Sequence, residues 1–171
     1  MRHNSLGVLA ALCLSFTACD TREPVMSDAD VALLRDTYPH MKEECIQLMR
    51  FEGVYSYPVE VDRCFPMTEP RKFHGVWRTQ FEGSIFCPNV TDLCQPTIEG
   101  PIAWLSTSAG VELPIEPATG REPRYFELVF VGRSTKEKGN YGHMGASDYE
   151  ILVDDLISAR EIQPSEMDRE T

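Results

Sequence analysis

The chain has 171 residues, 42% apolar and 25% charged, an ordinary globular composition that argues against a disordered or multi-pass membrane protein. Its 27 acidic residues outnumber 16 basic ones, for a formal net charge of −11. The short basic runs at Arg71-Lys72 and Lys136-Glu137-Lys138 do not make the positive surface that phosphates require, so nucleic acid is set aside as a partner.

Residues 1–18, MRHNSLGVLAALCLSFTA, place Arg2 ahead of an apolar stretch from Leu6 to Ala18, the pattern of an export signal. A helix that crosses a bilayer needs about 20 apolar residues, so this segment is expected to be removed rather than to anchor. At its end, Phe16-Thr17-Ala18-Cys19 resembles the bacterial lipobox, in which small residues precede the cysteine that becomes the lipidated N-terminus. The resemblance implies that acyl chains (palmitate among them) on Cys19 hold the protein at a membrane of the cell envelope. Asp20 resembles the enteric signal for inner-membrane retention, which favours the periplasmic face of that membrane over the outer one. Cleavage leaves 153 of the 171 residues, about one domain: a lipidated cysteine and tether over 19–27, a single globular domain over 28–163 and a polar tail over 164–171.

Ser27-Asp28-Ala29-Asp30 followed by Val31, Leu33 and Leu34 predicts a capped helix, which Pro39 should end. Helical spacing resumes from Met41 to Arg50, with Met41, Cys45, Leu48 and Met49 on one side and Lys42, Glu43 and Glu44 towards water. Beyond Gly53 the texture turns to strand. Val54–Val61 alternates large residues, and His74–Glu82 sets Trp77, Thr79 and Phe81 opposite Arg78, Gln80 and Glu82. Shorter strands are expected over Ile102–Thr107 and Val111–Ile115. The strongest, Tyr125–Val131 and Tyr149–Ile157, should pair as an antiparallel hairpin. The expected fold is mainly β (α+β): a small antiparallel barrel or half-barrel, an OB-like barrel being one version, with short N-terminal helices packed on it.

Apart from Cys13 in the leader and Cys19, the cysteines are Cys45, Cys64, Cys87 and Cys94, an even set that in an oxidising compartment predicts two disulfides. Three pairings are possible. Pro88, Asn89 and Asp92 supply turn chemistry that favours Cys87–Cys94, leaving Cys45–Cys64, and the two together should staple the helical region to the sheet. The wide gaps do not suit a zinc module and no Cys-x-x-Cys is present, so no metal or cofactor is expected.

The connection from Arg133 to Asp148 is long for a hairpin and carries Gly139-Asn140-Tyr141-Gly142-His143-Met144-Gly145 at its centre. Arg133, Tyr141 and His143, with Glu82 from the earlier strand, make the candidate ligand surface. Against this stands a purely structural role, with glycines turning the chain, Tyr141 packed beneath and His143 bonded to backbone carbonyls. The stretch Trp77-Arg78-Thr79-Gln80-Phe81-Glu82-Gly83-Ser84-Ile85-Phe86, in which Glu82 reads as a turn residue, and the late Gly-Asn-Tyr-Gly-His-Met-Gly resemble segments of small bacterial envelope lipoproteins with no known activity. That likeness implies a shared fold and nothing about chemistry. Gly83-Ser84-Ile85 lacks a nucleophile elbow, and neither His-Glu-x-x-His nor a phosphate-binding glycine loop occurs. The sequence thus suggests a lipid-anchored binding or structural module that is not an enzyme, with an envelope protein as one candidate partner and its small-molecule ligand unknown. A small envelope hydrolase pairing His143 with Glu82, or an enzyme inhibitor presenting the Tyr141/His143 loop, is the alternative.

Overall fold

The computed structural model describes residues 23–53, 61–90, 94, 102–113 and 122–163. The segment expected to be an export signal, Cys13, Cys19, Asp20, residues 54–60 of the expected Val54–Val61 strand and the expected 164–171 tail lie outside them.

Helix α1 (Asp28–Thr37) begins at a reciprocal cap: the Asp30 amide donates to Ser27 Oγ at 3.2 Å, and the Ser27 amide donates to Asp30 Oδ2 at 3.1 Å. It ends before Pro39, as expected. Helix α2 (Glu43–Glu52) stops at Gly53, whose φ of 88° suits a residue without a Cβ. Its buried side is Cys45, Ile46 and Met49. Val61, expected to finish a strand, instead opens the one-turn helix α3 (Val61–Cys64), and both of its end residues are buried. The Cys45–Cys64 disulfide joins α2 to α3, so it staples helix to helix rather than helix to sheet.

Five strands follow: β1 (Arg71–Gln80), β2 (Gly83–Pro88), β3 (Ala103–Thr107), β4 (Arg124–Ser134) and β5 (Tyr149–Ile162). They close into a barrel in the order β1-β2-β3-β5-β4, the small mainly β barrel with short helices that the sequence suggests. Four seams are antiparallel, but β3 and β5 run parallel, so the barrel is mixed rather than wholly antiparallel. Strand β2 was not expected. It arises because β1 stops at Gln80 and the chain reverses through Phe81 and Glu82, pairing Gln80 with Gly83. Glu82 takes a left-handed φ of 56°, as a turn residue must, while Phe81 leaves the core face and is 59% exposed. Val111 to Leu113 are not strand; Val111 and Leu113 pack on the barrel cluster from a loop, and Ile115 lies outside the described residues.

The β4–β5 hairpin forms as expected and is longer. Its register jumps twice, leaving Ile157 and Asp154 unpaired as bulges. The Cys87–Cys94 disulfide closes the segment after β2. Inside the barrel Phe73, Phe86 and Phe130 pack around one another, with ring centroids 5.2 Å apart for Phe73–Phe130 and Phe86–Phe130. A second core lies between helices and barrel, where Val31, Ile46, Met49 and Phe65 meet Tyr141 and the outward-facing Leu152. This is why β5 is buried at three successive positions, Ile151, Leu152 and Val153: the first and third face the barrel interior and the second faces the helices. Among the described residues no helix is long and apolar enough to cross a membrane.

Candidate functional site

The loop from 135 to 148 is tied down by backbone hydrogen bonds. The Lys136 amide donates to Pro66 O, the Gly139 amide to Asp148 O, and Tyr141 and Ser147 exchange both of theirs at 2.9 and 3.0 Å. Tyr141 plunges into the helical core, edge-on to Phe65 at 5.0 Å, and its hydroxyl donates to the Glu137 carbonyl. Burial raises the proton affinity of that phenol. Beyond Tyr141 the chain turns through Gly142 (φ 70°), Met144 (φ 54°) and Gly145 (φ 69°). Gly142 needs its missing side chain for a second reason: a Cβ there would lie 2.4 Å from the Trp104 indole. The loop is therefore laid flat against β3.

Between this loop, the helices and the barrel wall lies an open cleft of about 590 Å³. Its apolar side comes from the helical segment, through Leu34, Tyr38, Met41 and Met49. The barrel side is Trp104 from β3 and Glu150 from β5, adjacent in the parallel register. The rim is Glu82 from the β1–β2 turn with Asn140, Gly142 and His143 from the long loop.

The structure thus places three of the four expected surface residues, Glu82, Tyr141 and His143, around one cleft. His143 is an exposed side chain, 3.6 Å from Glu82 Oε2 through its Nε2. That distance is an ion pair when the imidazole is protonated and too long for a hydrogen bond. The expected division of labour in the loop is correct for Tyr141 beneath and for the turning glycines Gly142 and Gly145; His143 instead points to the cleft mouth.

Arg133 is elsewhere. The bulge at Asp154 aims that carboxylate at the guanidinium, which forks onto it at 2.9 and 2.7 Å and reaches Asp62 at 3.0 Å. The Ser108 hydroxyl completes the cluster at 2.6 Å from Asp154 Oδ1, and Asp62, Ser108 and Arg133 line a separate cavity of about 230 Å³. Hydrogen bonds from Arg133 hold the Asp154 carboxyl below its ordinary range, and the guanidinium is held correspondingly more firmly protonated. With its fork engaged by two carboxylates, Arg133 serves to tie β4 and β5 to α3, not to line the cleft.

Three lining residues do not stand out as site residues in the sequence, Tyr38 at the end of α1 and the barrel residues Trp104 and Glu150. Glu150 accepts a hydrogen bond from Ser106 Oγ at 2.7 Å. Burial nonetheless raises its carboxyl above the ordinary range, against the opposing pull of that hydroxyl and of the Gly142 amide. The signal for the barrel pair was an acidic residue inside the apolar run Tyr149-Glu150-Ile151-Leu152-Val153, and a tryptophan on the outward side of β3 between inward Ala103 and Leu105. Among the described residues the lining contains no Lys or Arg and no Ser, Thr or Cys. Among the described residues no three His, Cys, Asp or Glu side chains gather as metal ligands would.

In barrels of OB type the loops joining β1 to β2 and β4 to β5 flank the ligand face, and the same two connections border this cleft. That parallel bears on location only, since a fold does not name a ligand. No protein-family model, curated protein or solved structure matches the chain.

Proposed function

We propose that this chain is a non-catalytic binding module of the bacterial cell envelope, held at the membrane by lipid on Cys19, with the cleft between barrel and helices as its ligand site. The cleft itself carries the reading. It is open, mostly apolar, edged by a few polar groups and set where two barrel strands meet the helices and a tied-down loop, which is how small-ligand sites are made. The lipobox-like Phe16-Thr17-Ala18-Cys19 and the two disulfides support an exported, anchored protein. The rival hydrolase reading rests on His143 and Glu82. Among the described residues the lining offers it no Ser, Thr or Cys nucleophile, and the pair is not hydrogen-bonded, although such bonds are often long before substrate arrives.

The test has two arms. Mass spectrometry of the mature protein should find a diacyl or triacyl modification on Cys19; an unmodified thiol there overturns the anchor. For the site, the full chain made with Cys19→Ser is titrated with fractionated small molecules from the envelope while Trp104 emission is followed, Trp104→Phe serving as the blank. A saturable change lost in Gly142→Ala supports the cleft. No fraction perturbing Trp104, or turnover of a fraction's component that His143→Ala abolishes, overturns the binding reading.

A further inference from the structure

We infer that the cleft takes an organic cation, an ammonium or guanidinium carried on an apolar stem, with Glu150 and Glu82 receiving the charge and Trp104 with the helical Leu34 and Met49 receiving the stem. The inference rests on the cleft being the binding site and says what chemistry the site selects.

The first ground is an uncompensated carboxylate. Glu150 sits half-buried on the barrel wall, and its side chain accepts from a hydroxyl and a backbone amide, with no ion pair to it among the described residues. Elsewhere in the molecule partly buried acids are paired: Asp154 and Asp62 with Arg133, and Glu127 with Arg160 and His74. A carboxylate withdrawn from water costs stability unless a cation joins it, and a bound cation supplies what the fold omits.

The second ground is the shape of the surroundings. The Trp104 indole is covered on one side by Gly142 and sits next to Glu150 across the β3–β5 seam. A cation approaching Glu150 meets an aromatic ring as well as a charge, the arrangement that favours alkylammonium and guanidinium groups over a bare metal ion. Glu82 adds a second negative charge at the rim, and the uncharged helical side, with Leu34, Met41 and Met49, leaves room for methylenes. The third ground is sign: a cleft whose described lining carries two carboxylates and no Lys or Arg, in a chain of net charge −11, draws cations and repels anions.

The experiment uses the full chain carrying Cys19→Ser, labelled with nitrogen-15, and follows the Trp104 indole N–H and the Gly142 amide by NMR. The probes are pentylammonium, 1-pentanol and hexanoate, matched in stem and different in charge. Pentylammonium should give saturable shifts with an affinity about tenfold or more above that of pentanol, and hexanoate should give none. Glu150→Gln should cost about tenfold or more while its thermal melt stays at or above that of the parent, because the buried charge is gone. Glu82→Gln, at an exposed turn, should cost about two- to threefold, and Glu112→Gln, outside the lining, should cost nothing. A blocked lysine amide separates the sources: tighter binding than pentylammonium assigns the site to a basic side chain of a partner, weaker binding to a free amine. Equal affinity for pentylammonium and pentanol overturns the cation while leaving the cleft a binding site. Parent-like affinity in folded Glu150→Gln, or no saturable shift from pentylammonium, overturns the inference outright.

Discussion

The barrel interior and the cleft are built on the same strands and have opposite characters. Along β3, Ala103 and Leu105 turn inward while Trp104 turns out; along β5, Ile151 and Val153 turn inward while Glu150 turns out. Inside, apolar side chains pack on one another. Phe86, Leu128, Phe130 and Val153 are completely buried, and Trp77 Nε1 donates to Ser84 Oγ, which donates in turn to the Leu105 carbonyl. Outside, the same backbone holds a carboxylate with no ion pair among the described residues against an open space, and the two nearest turns each place a residue other than glycine in left-handed conformation, Glu82 and Met144. Such residues cost of order 1 kcal/mol each and persist where the surrounding structure over-determines them. Period-two alternation therefore separates a closed apolar core from an open polar-edged cleft, with one strand serving both.

The sharpest way to break the interior is Phe86→Ala. The ring touches Phe73 and Phe130 and has no exposed surface, so its loss should cost about 3–5 kcal/mol by denaturant unfolding. A cost under about 1 kcal/mol would mean that the barrel is not packed around this residue. The next effect lies at the joint between barrel and helices. Arg133→Gln leaves Asp154 and Asp62 without their cation and should cost about 1–3 kcal/mol at pH 7. The pH dependence has a definite sign. Because Arg133 depresses the Asp154 carboxyl in the folded state, the stabilisation is present above the ordinary aspartate range and is lost as pH falls through the depressed folded value. Melting curves of parent and Arg133→Gln should therefore diverge near neutrality and converge in acid. A gap that stays constant with pH would show that the arginine acts through packing alone.

How legible these parts are in the sequence follows the range of the forces that make them. Local signals were sufficient for α1, with its Ser27 cap and Pro39 stop, for the β4–β5 hairpin, and for Cys87–Cys94, seven residues apart across a turn. Cys45–Cys64 then followed by exclusion. The parallel β3–β5 seam has no local signature, because it depends on where β4 and β5 carry the chain before it returns. Strand β2 was hidden by the Gly83 that starts it. Arg133 was misplaced because a bulge rotates Asp154 out of alternation, and a bulge turns a free-looking arginine into an internal clamp. In the cleft, Glu82, Tyr141 and His143 stood out in unusual loop and turn chemistry. Trp104 and Glu150 did not, since alternation says that a residue faces outward without saying what folds over it; here that cover is α1 and α2, more than fifty residues earlier in the chain.

The smallest effect is the most informative about the loop. Tyr141 and His143 are two residues apart and divide its two possible roles between them. Tyr141 is 4% exposed and locked against Phe65, so Tyr141→Ala belongs with the core substitutions, at about 3–5 kcal/mol. His143 keeps 44% of its side chain exposed, and its nearest charged neighbour is Glu82, across the cleft mouth. The turn around it is made by backbone hydrogen bonds and by Gly142 and Gly145, none of which the imidazole supports. His143→Ala should therefore change stability by no more than about 0.5 kcal/mol, while altering pentylammonium affinity by about two- to threefold because Glu82 loses its rim partner. A destabilisation above about 1 kcal/mol would return His143 to a structural role; unchanged stability with altered binding separates the residue that holds the loop from the residue that meets the ligand.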